Sequence, residues 1–218
     1  MKKKFENAVS EQIYQYLINM ILSLEIRPGD KIPEASIAQK FEISRTPIRE
    51  ALRDLAKDGI INLYPNRFSE VAVYDEDRVK EVGMMKIYLD RMSVKLASYF
   101  GSRAEYVKLR EYAANCYEAA KKNDILNRIK ADSDYHWALC KIGKNRSLMQ
   151  LEKSLLIQIE YLQAANYLQA EDPDEQYHSH MKIVDGLESG DVELSLSEIT
   201  EPGIRFYNLK QIPPMLYQ

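Results

Sequence analysis

The 218-residue chain carries 30 Lys and Arg against 33 Asp and Glu, a formal net charge of −3, with 45% hydrophobic and 29% charged residues. That is the composition of an ordinary globular protein. It excludes a fibre, a disordered chain and a wholesale cationic coat for nucleic acid, so any polyanion site must be a local patch. No stretch approaches 18 uncharged apolar residues, MKKKFENAVSEQ lacks the apolar run of a secretory signal, and Cys116 and Cys140 are too few for a disulfide scaffold. A cytoplasmic protein with two buried cysteines, and no membrane partner, is expected.

Ile13, Leu17, Met20, Ile21 and Leu24 recur at helical spacing and predict a first helix over 10–26, capped by Ser10 and stopped by RPGD. EASIAQKF predicts a short second helix over 34–41. A third begins at Ser44 or Thr46, tolerates Pro47 in its first turn and ends at 57–58 before Gly59. IINLY (60–64) and EVAVY (70–74), rich in β-branched and aromatic residues and joined by PNRFS, predict a hairpin. Beyond Asp75 the strand signals end. Helices are expected over about 76–101, 104–122, 124–143, 146–169, 174–189 and 191–200, the last stopped by Pro202-Gly203. The expected fold is therefore mainly α: a winged helix-turn-helix over residues 1–75, then an antiparallel helical bundle over 76–218.

Residues 1–75 hold 11 basic and 11 acidic side chains, so neither part is basic overall. Within the third helix, however, Arg45, Arg49, Arg53 and Lys57 follow at steps of four and share one face, while Ile48, Leu52, Leu55 and Ala56 point toward a core. A cationic ridge on a short helix after a tight turn suits a reader of the DNA major groove. The N-terminal residues of such a helix reach base edges, which selects Arg45, Thr46 and Arg49. Ser44 and the free amides beside it suit a phosphate, and Arg53 and Lys57 suit phosphates or bulk charge. Asn66 and Arg67, at the tip of the hairpin, are placed to touch the adjacent minor groove or backbone.

The run RPGDKIPEASIAQKFEISRTPIREALRDLAKDGIINLYPNR resembles the N-terminal signature of the GntR-type bacterial transcription regulators. The resemblance implies a winged helix-turn-helix that binds a palindromic DNA operator as a homodimer, with Arg45 and Arg49 as base-contacting residues. Phe68 stands where the family usually has glycine, and Ala35 where some members place arginine.

DSDYH puts Asp132 and His136 four residues apart on one helix face, a spacing at which both can meet one metal ion and at which surface ion pairs are also common. ADSDYHWAL and SHMKIVDGL resemble two segments of the FCD effector domain of the FadR-type branch of the same family. That resemblance implies a divalent metal (zinc, manganese or nickel) held by one Asp and three His, and a small carboxylate effector beside it. Asp132, His136 and His180 match three of the ligand positions. The fourth falls near EITEPG, where there is no histidine and Glu201 is the available oxygen donor. Lys86 stands where the branch often has an arginine that pairs with the effector. His178, two residues before His180, reads as a surface or capping residue. On the helix over 146–169, Leu151, Leu155, Ile159 and Leu162 mark a face expected to pack on the helix carrying YHWALC, part of it available for a dimer contact.

The function expected from these features is a ligand-responsive transcription regulator, such as a repressor, and not an enzyme. Two alternatives stand beside it. The helical part is only a dimerisation module with a decayed pocket, or Asp132, His136 and His180 serve a metal-dependent hydrolase, for which no general base is found at fixed spacing.

Overall fold

The computed structural model describes residues 2–65, 67–165 and 172–216, with the backbone alone over 2–7. The chain divides into two compact units, Met1–Val73 and Tyr74–Gln218.

In the first unit α1 spans Lys2–Leu22, α2 Glu34–Phe41 and α3 Arg45–Lys57. α1 begins before the expected cap at Ser10. That side chain instead donates from Oγ to Glu50 Oε2 of α3 at 2.6 Å. Ile13, Leu17 and Ile21 of α1 meet Ile48, Leu52 and Leu55 of α3 in a sealed core. Glu42, in the left-handed region at φ 53°, ends α2. Gly59 ends α3: at φ 79° it turns the chain so that Ile60 N–H reaches the Leu55 carbonyl, 2.9 Å away, a closure that suits glycine.

The hairpin pairs β1 (Ile61–Tyr64) with β2 (Phe68–Val71) in antiparallel register, Ile61 opposite Val71 and Tyr64 opposite Phe68. The second strand therefore starts two residues before the expected one. Phe68 is drawn into the ladder by its ring contact with Tyr64, 4.6 Å between centroids, and by the Lys31 ammonium 4.3 Å over its face.

The second unit is an all-helical bundle of α4 (Glu76–Phe100), α5 (Arg103–Lys121), α6 (Ile125–Ile142), α7 (Arg146–Ala164), α8 (Pro173–Ser189) and α9 (Val192–Phe206), then a 3-10 turn Pro214–Leu216. Each helix starts on a side-chain cap, from Asp75, Ser102, Asp124, Asn145, Asp172 and Asp191 in turn, which is why the breaks are legible in the sequence. Val94, Leu109, Tyr135, Leu139, Ile183, Val184 and Leu196 form the main core. Gly83 lets α4 close on Tyr207, whose Cβ lies 2.3 Å from where a glycine-replacing Cβ would stand. Among the described residues no helix is long and apolar enough to cross a membrane.

Two expectations for this unit change. α9 does not stop before Pro202-Gly203 but runs through them to Phe206. Pro202 has no amide for the carbonyl of Glu198, and Ser179 Oγ of α8 donates to that oxygen instead, at 2.7 Å. On α7, Ile159 and Leu162 are buried and Leu155 packs on the cluster holding Trp137 and Cys140 of α6, as expected, but Leu151 is exposed and Glu152 and Leu156 are buried in addition. The expected end of that helix, residues 166–169, lies outside the described residues.

Candidate functional site

The cationic ridge of α3 faces solvent. Ser44, Arg45, Thr46, Arg49, Arg53 and Lys57 are all exposed, while Ile48, Ala51, Leu52 and Leu55 fill the opposite face. Arg45, Arg49 and Arg53 meet Arg67 of the hairpin around one open groove of about 720 Å³. Four guanidinium groups thus converge from two elements. Lys57 is not on the groove; its ammonium pairs with Asp54 at 2.7 Å. Ser44 caps α3 by position but makes no side-chain bond to the helix, which leaves its hydroxyl beside the first amides. Asn66 lies outside the described residues. Glu34 adds a carboxylate to the groove, 4.0 Å from Arg49 Nε and bonded by Ser69 Oγ at 3.3 Å.

In the bundle, α6 supplies Asp132 and His136 and α8 supplies His180, and one donor atom from each falls within 4.8 Å of the others. Asp132 Oδ1 lies 3.9 Å from His136 Nε2 and 3.5 Å from His180 Nε2. Each member is held from behind. Gln176 Nε2 donates to Asp132 Oδ1 at 2.8 Å, and Gln176 is itself bonded by Arg128 at 2.9 Å. The Tyr135 ring stacks on His180 at 4.0 Å, and its hydroxyl donates to the His180 carbonyl at 3.0 Å. His136 Nδ1 lies 3.1 Å from Asp90 Oδ1. The cluster borders a cleft of about 70 Å³, room for an ion with a few waters or for a small acid.

The electrostatics separate the two imidazoles. Burial pushes His180 down to about 4, so its ring is neutral near pH 7. Burial also pulls on His136, but the adjacent Asp90 carboxylate outweighs it and raises that group above the usual histidine range.

These donors fit a divalent cation. A neutral imidazole stands too far from Asp132 to hydrogen-bond it, and its Nδ1 has no partner among the described residues. Asp132, His136 and His180 together would offer a divalent ion the mixed N/O donor set that zinc, manganese and nickel accept.

Two residues singled out from the sequence are corrected. Glu201 is exposed and joins neither the cluster nor the cleft wall, which at that point is made by Pro202 and Gly203. Lys86 is 1% exposed and does not line the cleft. Its ammonium is paired with Asp90, and with Glu152 at 2.9 Å, so its charge is already matched by buried carboxylates and is not offered to an anion. His178 is exposed and bonds the Asp174 carbonyl, as expected of a surface residue. Sequence reasoning missed Asp90, whose signal was its place four residues after Lys86 on α4, and Arg205, the cation that does border the cleft.

Comparison with known proteins agrees with this layout: the bacterial regulatory proteins of the gntR family match residues 9–68 and the FCD domain matches residues 81–201. The chain belongs to the GntR family of DNA-binding transcription regulators and carries an FCD domain. Among relatives of this GntR-type regulator, the Nta operon transcriptional regulator of Aminobacter aminovorans is 25% identical over 142 residues, 65% of this chain and 67% of that one. The probable D-xylose utilization operon transcriptional repressor of Paenarthrobacter nicotinovorans is 26% identical over 204 residues, 91% and 87% of the two chains. The solved E. coli McbR/YncC has the same fold, with a TM-score of 0.76 at 19% identity over 93% of this chain and 98% of that one. These families and relatives are transcription regulators, not enzymes.

Proposed function

We propose that this GntR-type regulator binds a palindromic operator as a homodimer and that its helical unit senses a small organic acid beside a divalent metal ion. The observation that carries the reading is the buried Asp132–His136–His180 cluster bordering a cleft. Those three residues would hold the ion, and among the described residues no fourth His, Cys, Asp or Glu joins their cluster. When bound, the metal supplies a Lewis-acidic positive charge facing the cleft. Arg205 adds a second cation at the cleft wall, in the role that Lys86 does not fill.

On the DNA side, Arg45, Thr46 and Arg49 read base edges, Ser44 and Arg53 hold phosphates, and Arg67 of the hairpin grips the adjoining backbone or minor groove. The convergence of the four arginines on one groove supports this division. A homodimer is supported by α4, where Met85, Tyr88 and Met92 lie exposed at spacings of three and four with Glu81 and Lys95 on either side. An isologous contact across a two-fold axis uses such a stripe twice. Effector binding then changes operator affinity as a population shift, which requires unequal affinity for two states of the dimer. Repression is the mode we favour, in line with the name of the Paenarthrobacter relative.

The test is metal content per protomer, measured by elemental mass spectrometry on protein purified without a metal column. About one ion per chain, lost in His136→Ala, is expected, as is a change in operator affinity when small carboxylates are added. A metal-free protein after incubation with zinc, manganese and nickel would refute the sensing site.

A further inference from the structure

We propose that Asp90, Lys86 and Glu152 form a buried relay that positions His136 for the metal, Asp90 acting directly and Lys86 through it. The inference rests on the metal reading above. Asp90 Oδ1 stands 3.1 Å from His136 Nδ1, and a carboxylate can only accept there. In the neutral ring that a metal requires, the proton therefore sits on Nδ1 and the lone pair on Nε2, the nitrogen that faces Asp132 at 3.9 Å. Asp90 is held by the Lys86 ammonium one helical turn before it on α4. Lys86 is held in turn by Glu152 Oε1 of α7 at 2.9 Å. The chain Glu152, Lys86, Asp90, His136 thus joins α7, α4 and α6, and its four side chains are between 0% and 15% exposed.

Stability alone does not account for such a chain. Burying charges costs solvation that their mutual attraction repays only in part, and apolar side chains of the same volume commonly serve as well or better. What the charges provide, and apolar side chains would not, is one rotamer for Asp90 and hence one tautomer and one ring orientation for His136. Lys86 and Asp90 are positioning residues in this arrangement.

Zinc and cobalt(II) affinities of the full-length protein, measured by competition with a chromophoric chelator, test the relay. Asp132→Ala serves as the control for the site itself. In Asp90→Asn the amide can donate to Nδ1 and move the ring proton to Nε2. The expected result is a loss of about 10- to 100-fold in affinity, with an altered visible spectrum of the cobalt form and partial rescue by Asp90→Glu. If Asp90→Asn does not fold, the charge-paired variant Lys86→Met/Glu152→Met reads the same relay and is expected to lose several-fold in affinity. A wild type that binds metal through Asp132, while whichever of these variants folds matches it in affinity and spectrum, overturns the relay and leaves the metal reading intact. A wild type that binds neither ion overturns both.

Discussion

Ser179 Oγ lies 2.7 Å from the carbonyl oxygen of Glu198, the acceptor that Pro202, four residues further along α9, cannot serve. A hydroxyl of α8 takes the place of a missing helical amide, and α9 is carried past a proline to the wall of the cleft.

Ser179→Ala should therefore cost on the order of 1 kcal/mol, the usual penalty for a backbone acceptor stripped of its donor. Pro202→Ala restores a helical amide, so in that background the same serine change should cost less. Urea midpoints for the two single variants and the double variant measure the difference, and additive effects would show that hydroxyl and proline are uncoupled.

Arg49→Ala should lower affinity for the specific operator by about 1–3 kcal/mol and relax base preference. Arg53→Ala should weaken specific and random DNA alike and reduce the salt slope by about 1. Lys57→Ala should matter least of the three, because its ammonium is bound by Asp54 away from the groove. Fluorescence anisotropy titrations at several salt concentrations separate these outcomes. Equal losses on both DNAs for Arg49→Ala would remove its reading role.

His180 gives the metal-free protein a pH dependence of definite sign. Its ring titrates near 6.5 in an unfolded chain and, through burial, at about 4 in the folded one. The unfolded state then binds more protons, so this residue destabilises the fold as pH falls from about 6.5 toward 4 and has no effect well above that window. A loss of the order of a few kcal/mol is expected, on top of other titrations. Chemical denaturation with chelator present, at pH 7 and pH 4.5, should show a smaller drop for His180→Gln than for wild type.

Tyr88→Lys should disrupt the dimer by placing two like charges across the proposed two-fold contact, while leaving the bundle folded, since Tyr88 is 40% exposed. Sedimentation velocity should show monomer. Affinity for a full operator should fall toward that for a half-site. A variant that remains dimeric would put the interface elsewhere.

The helices were legible because their signals are local. The ridge of α3 needs only a helical repeat, and each helix of the bundle begins on a capping side chain a few residues from the amide it receives. Asp132 and His136 could be paired for the same reason, since four residues span one turn. His180 could be joined to them only through resemblance, since it arrives on another helix, 48 residues after Asp132.

What the fold alone decided is what the charged and helix-breaking residues do. Lys86 looks like an anion ligand until Glu152, 66 residues away, is packed against it and burial leaves its charge spoken for. Pro202 looks like a helix stop until Ser179 of the neighbouring helix supplies its missing donor. Asp90 gains its role only when α4 and α6 bring it to His136. Periodicity and capping act within a turn of the chain and are written there; desolvation and hydrogen-bond partnership depend on which helices meet, and that is settled only when the core closes.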